Sequence, residues 1–215
     1  MARPVLHDYF RSSASYRVRI ALGLKGIAYD VVPVDLLEGA QRDAAYLERN
    51  PQGLVPTLEL DGLRLTQSLA IIGYLEATHP EPPLLPRNPA DAAHVRALAL
   101  TVVCDIHPVN NLRVLKYLSS PLGQPQEARD AWYAHWVREG LAALEAMAAP
   151  RAGRFLVGDS PTLADVCLVP QMYNARRFAI PTDDFPVLQR ADAEARALPA
   201  FEAAHPDAIA ALKQE

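Results

Sequence analysis

The stretch "HPEPPLLPRNPAD" constrains this chain more than any other. Five prolines fall between Pro80 and Pro89, and a segment with so few backbone donors and so many fixed φ angles continues neither a helix nor a strand. It divides two halves with different grammar. Before it, strand and helix signals alternate. "PVLHDYF" is apolar and strand-like, and "SYRVRIALGLKG" carries Val18, Ala21, Leu22 and Lys25 at helical spacing before Gly26, a C-cap. "AYDVVPVDL" is β-branched and alternating, "AAYLERN" is a short helix and "NPQGLVP" a loop. "TLELDGLRLTQS" reads as two brief strands around the Asp61-Gly62 turn, and "SLAIIGYLEATHP" as an amphipathic helix ending before Pro80. The order βαβα–ββα predicts a mixed sheet with helices packed on it.

Beyond the prolines alanine is abundant and strand signals vanish. Helical patterns cover 90–118, 125–149 and 162–178, with weaker ones at 186–197 and 199–212. The domain reading is an α/β domain over 1–80, a semi-rigid linker over 81–89 and an all-α domain over 90–215. Thr162 with Asp165 three residues on is close to a capping box at a helix start.

Bulk properties exclude several classes. A net charge of −4 over 215 residues, with a pI near 5.9, is no general nucleic-acid footprint. There is no apolar run of membrane-spanning length, and "MARPVLHDYF" lacks a signal peptide's basic-then-apolar pattern. The two cysteines, Cys104 and Cys167, each sit in apolar surroundings, which predicts buried free thiols in a reducing, cytoplasmic setting, with no zinc motif.

The chemistry-bearing stretch is "YFRSSASYRVRIALGLKG". Ser12, Ser13, Ser15 and Arg11, Arg17, Arg19 crowd into nine positions at the front of a helix. One reading is an N-cap followed by a solvated basic face. The other is an anion- or thiolate-binding site, because a helix N-terminus favours negative charge.

The whole chain resembles the cytosolic glutathione transferases, and their zeta class in particular. "SSASYRVRIAL" is similar to that class's signature, and "NPQGLVPTLELDG", "TQSLAIIGYLE", "IHPVNNLRVLKYL" and "PTLADVCLVPQMYNARRF" are similar to its later blocks, in order, over about residues 4 to 206. The resemblance implies a thioredoxin-like α/β domain binding glutathione, an all-α domain binding substrate, and a homodimer. The class's members are typically maleylacetoacetate isomerases, with maleylpyruvate isomerases as close relatives.

Carried over residue by residue, the resemblance assigns Ser12, supported by Ser13, to the glutathione thiolate. It assigns Val55, before a cis Pro56, to the cysteinyl backbone, and Gln67 and Ser68 to the γ-glutamyl end. Gln41 and Asn111 are further glutathione contacts. Arg177 matches an arginine found in both branches, and Arg11 and Arg113 match arginines credited with substrate binding in the maleylpyruvate branch; holding a dicarboxylate suits a planar guanidinium fork. His107 stands where many animal members have glutamine and the maleylpyruvate branch has histidine, a residue able to move protons near neutral pH. The signature cysteine is replaced by Ala14, which removes a protein thiol from the loop but leaves a glutathione mechanism intact. The implied activity is cis–trans isomerisation of maleylacetoacetate, with maleylpyruvate as the alternative substrate. A general transferase acting on α-halo acids and a non-catalytic binding protein are the competing readings.

Overall fold

The computed structural model describes residues 3–211. By its contacts the chain divides into two compact units, residues 3–83 with 197–211, and residues 84–196.

In the first unit, strands β1 (Val5–Asp8), β2 (Asp30–Pro33), β3 (Thr57–Leu60) and β4 (Leu63–Thr66) form one sheet in the order β2-β1-β3-β4. β2 runs parallel to β1, while β3 is antiparallel to both β1 and β4. Helices α1 (Ser13–Leu24), α2 (Ala44–Leu47) and α3 (Ser68–Thr78) complete the expected βαβα–ββα order. The β3–β4 connection is a two-residue turn with φ of 53° at Asp61 and 76° at Gly62, both left-handed as such a hairpin requires. Gly26, at φ 65°, lets α1 end with the Ile27 N–H on the Leu22 carbonyl at 2.9 Å. Leu6 and Leu58 from the sheet, Val18 and Ile20 from α1, and Ile71 and Leu75 from α3 are fully buried. Each contributes about 1.5–3 kcal/mol by leaving water.

The second unit is helical. α4 (Pro89–Leu100) starts with Pro89 at its first position and the Asn88 side chain accepting from the Ala90 and Asp91 N–H groups. The chain then widens into π-helical turns over Thr101–Ile106, continued by the His107 N–H on the Val102 carbonyl at 2.9 Å. α5 (Leu112–Ser119), α6 (Gln126–Ala148), α7 (Leu163–Arg177) and α8 (Pro186–Arg196) follow. The single helix expected over 90–118 is therefore broken. Pro108 brings no N–H, and Asn111 starts α5 afresh by accepting from the Arg113 N–H at 3.1 Å. A Cβ at Gly140 would overlap the Ile106 side chain, so glycine allows α6 its close approach to the π-helical stretch. Thr162 and Asp165 close the capping box predicted for α7. The Asp165 carboxylate also accepts from the Leu156 N–H at 2.9 Å, and burial pushes its pKa up to about 6. Cys167 is buried as expected, but Cys104 is exposed: apolar neighbours in sequence do not fix which way a side chain leaves a π-helical turn.

The last two helices, α9 (Pro199–Ala203) and α10 (Pro206–Ala211), pack with the sheet unit although their sequence grammar matches the helical half. Tyr16 and Arg19 of α1 donate to the Phe201 and Ala204 carbonyls. Arg19 is completely buried; it also donates to both Asp8 carboxylate oxygens at 2.8 Å and to the Phe10 carbonyl at 2.9 Å. Arg17 is 1% exposed. The solvated basic face is excluded: two of the three arginines are inside the protein.

Candidate active site

Strand register decides where the first unit gathers its polar groups. Asp8 lies beside Pro33, His7 beside Thr57, and Thr57 beside Thr66. β1, β2 and β4 therefore finish, and β3 begins, at one end of the sheet. The segments joined to those ends are Tyr9–Ser13, residues 34–42, Val55–Pro56 and Gln67–Ser68. Ser12, Ser13, Gln41, Val55, Pro56, Gln67 and Ser68, far apart in sequence, are brought to this one end.

Ser12 is the N-cap of α1, and its Oγ accepts from the Ser15 N–H at 3.2 Å. That bond uses a lone pair and leaves the hydroxyl hydrogen available to donate. Capping and holding a thiolate are thus compatible. Ser13 is buried in the first turn. Ahead of β3, Tyr46 and Asn50 both donate to the Leu54 carbonyl at 2.7 Å, fixing the loop. A Cβ at Gly53 would come 2.9 Å from the Gln41 carbonyl oxygen, so this loop and Gln41 are close neighbours. The Val55–Pro56 peptide is cis. Among the described residues neither the Val55 N–H nor its C=O has a hydrogen-bond partner. The buried Oε1 of Gln41 also has none. An unpaired donor and acceptor at a strand start fit an extended peptide added alongside.

Gln67 holds φ 66°, rare for a residue with a side chain and costing about 1–3 kcal/mol. Its amide donates to Gln52 Oε1 at 2.7 Å. Ser68 then opens α3, whose first N–H groups have no intrahelical partner and suit a carboxylate. Its Oγ accepts from Arg17 Nη1 at 2.8 Å. Arg11 donates to the Tyr9 hydroxyl at 2.9 Å and lies 4.9 Å above the Phe10 ring centroid.

In the second unit His107 follows the π-helical stretch, and Trp132 Nε1 holds the next turn by donating to the Val109 carbonyl at 2.9 Å. Asn111 and Arg113 start α5, with Arg113 exposed. Arg177 ends α7, its guanidinium 4.7 Å above the Phe178 ring centroid. Phe178 in turn stacks on Tyr133 at 4.0 Å. Burial pushes the Tyr133 hydroxyl up to about 12 against the opposing effect of Arg177, so it stays neutral. The adjacent Arg176 is paired with Asp192 at 2.6 Å. Arg11, Arg113 and Arg177, by contrast, have no carboxylate partner among the described residues. Sequence reasoning placed Arg17 in the serine–arginine stretch without a role of its own, and missed Tyr133 and Phe178, of which only Phe178 had a signal, as an aromatic directly after the "RR" pair.

A four-stranded sheet of this order with its packed helices, followed in the chain by an all-helical part, is the thioredoxin-like-plus-helical architecture of the glutathione transferases. The chain belongs to the glutathione S-transferase family, in its zeta class: residues 6–83 match that family's N-terminal domain and 126–211 its C-terminal domain. It is 53% identical to maleylacetoacetate isomerase of Rhizobium meliloti, over 94% of this chain and 96% of that one. The holo structure of a zeta-class bacterial maleylpyruvate isomerase is 44% identical, covers 95% of this chain and 97% of its own, and superposes with a TM-score of 0.93. Maleylacetoacetate isomerase of Methylobacterium extorquens, solved with malonate and glutathione bound, is 42% identical with a TM-score of 0.92, over 95% and 97% of the two chains. Among the described residues no helix is long and apolar enough to cross a membrane.

Proposed function

We propose that this protein is a glutathione-dependent cis–trans isomerase of a maleyl dicarboxylate, acting on maleylacetoacetate to give fumarylacetoacetate. The observation that carries the reading is the 53% identity, over 94% of this chain, to a maleylacetoacetate isomerase. Arg11 in the first unit and Arg113 and Arg177 in the second each lack a carboxylate partner among the described residues, and a guanidinium left so suits a substrate carboxylate.

Bound glutathione supplies a thiol that adds reversibly to the cis double bond and leaves once the resulting single bond has rotated. The protein's residues provide the setting. The Ser12 hydroxyl donates to the sulfur and, with the α1 N-terminus, favours its negative charge; Ser13 supports that turn. Val55 pairs with the cysteinyl backbone beside Pro56, Ser68 and Gln67 take the γ-glutamyl end, and Gln41 and Asn111 make further contacts. The arginines hold the two carboxylates and fix orientation. His107 hydrogen-bonds the oxygen on which charge develops and can carry a proton. In chain order 1–80 is the glutathione-binding domain, 81–89 the linker and 90–215 the substrate-binding domain, of which α9 and α10 pack with the sheet unit. A cytoplasmic homodimer accompanies the reading.

The similarity to a maleylpyruvate isomerase, at 44% identity and a TM-score of 0.93, supports a second substrate, maleylpyruvate; His107 suits either acid. Parallel ultraviolet assays on maleylacetoacetate and maleylpyruvate, with and without glutathione, test both. Strictly glutathione-dependent turnover is expected, with the larger kcat/KM on maleylacetoacetate. A larger value on maleylpyruvate selects the second substrate, and no turnover of either acid overturns the isomerase.

A further inference from the structure

We propose that Arg17 is a positioning residue for glutathione: its buried guanidinium, donating to the Ser68 hydroxyl oxygen, turns the Ser68 hydrogen outward to the γ-glutamyl carboxylate. This rests on the glutathione reading above and gives a role to a residue outside the set that the family resemblance marks.

The geometry starts from α1. Ser13 and Arg17 are one helical turn apart and share a face, and α1 packs against α3. Arg17 meets the first residue of α3, with Nη1 2.8 Å from Ser68 Oγ, and both side chains are buried. Arg19, two residues on, leaves the helix on another side and serves Asp8 and the Ala204 carbonyl. The alternation in "RVR" thus sends one guanidinium to the fold and one to the site.

A hydroxyl has one hydrogen and two lone pairs, whereas a guanidinium only donates and stays charged. With Arg17 on one lone pair, the Ser68 hydrogen points away from it. Without Arg17 the hydroxyl can turn inward and cap its own helix, as serines at helix starts do. The positive charge behind Ser68 also adds to the anion preference of the α3 N-terminus. Gln67, held at positive φ directly before it, fixes the angle at which this corner opens.

The test is titration calorimetry of wild type, Arg17→Met, Arg17→Lys, Ser68→Ala and the Arg17→Met/Ser68→Ala double variant. Each is titrated with glutathione and with 4-aminobutyryl-cysteinyl-glycine, which lacks the γ-glutamyl α-carboxylate. Arg17→Met and Ser68→Ala should each weaken glutathione by roughly 10–100-fold, as loss of a hydrogen bond to a charged group does. The double variant should be little weaker than either single one. On the analogue, wild type and Arg17→Met should bind alike, and the isomerase should lose KM for glutathione rather than kcat. Equal losses on both ligands would make Arg17 a packing residue and overturn the proposal. If Arg17→Met does not fold by circular dichroism, Arg17→Lys decides: weaker glutathione with an unchanged analogue supports the role, and wild-type affinity for both contradicts it. Unchanged glutathione affinity in Ser68→Ala would instead sink the reading of Ser68 itself.

Discussion

The strand-end corner of the sheet unit and the arginine-bearing helix ends of the second unit offer opposite means of recognition to the ligands proposed above. The first uses backbone and buried groups: the open Val55 amide, the α1 and α3 N-termini, and Ser68 backed by Arg17. The second uses exposed side chains, Arg113 and Arg177, with Arg177 above Phe178. A site made of backbone is fixed by the fold and suits a ligand that never changes. A site made of exposed side chains is redrawn by single substitutions and suits a substrate that differs between relatives.

The corner should fail as a unit with its fold. Asp8→Ala strands the Arg19 guanidinium without its carboxylate, and breaking a buried pair in this way costs about 3–5 kcal/mol. Urea unfolding should register that loss. Ser12→Ala leaves the fold in place and removes one donor to the sulfur. A fall of about 10²–10³ in kcat is expected, as for loss of an oxyanion donor, with the bound thiol titrating at higher pH by its thiolate absorbance. In the other region, Arg177→Ala should lower kcat/KM for the dicarboxylate by roughly 10–100-fold while sparing a neutral electrophile. Equal losses on both would erase the contrast between the regions. Thr162→Ala, far smaller, should cost the second unit's stability about 1 kcal/mol through its capping box. Asp165 adds a pH signature there. Between its ordinary 3.8 and about 6 it is protonated in the folded chain but not in the unfolded one. Stability should therefore fall as pH rises through that window, and Asp165→Asn should flatten the fall.

Legibility differed between the same two regions. The sheet unit's order, the Asp61-Gly62 hairpin and the Gly26 cap follow from local chemistry and could be read directly. So could the Thr162 capping box. Arg17 and Arg19 could not be told from Arg11 in the sequence, because burial of a guanidinium depends on Asp8, Ser68 and the Ala204 carbonyl meeting it from elsewhere in the chain. The break at Pro108 and Asn111 had its signal, a proline followed by an N-cap residue, which helical periodicity on both sides obscured. That α9 and α10 pack with the sheet unit follows from long-range contacts with Tyr16 and Arg19, and nothing local announces it. Motif resemblance supplied the site residues; the structure added which of the arginines are already engaged.

The proposed reaction regenerates glutathione in each cycle. The direct measurement is product yield from maleylacetoacetate with glutathione held far below the substrate. Many moles of trans product per mole of glutathione, with free thiol undiminished, is the predicted result. Product that stops at one mole per mole of glutathione, with thiol lost to an adduct, would contradict it.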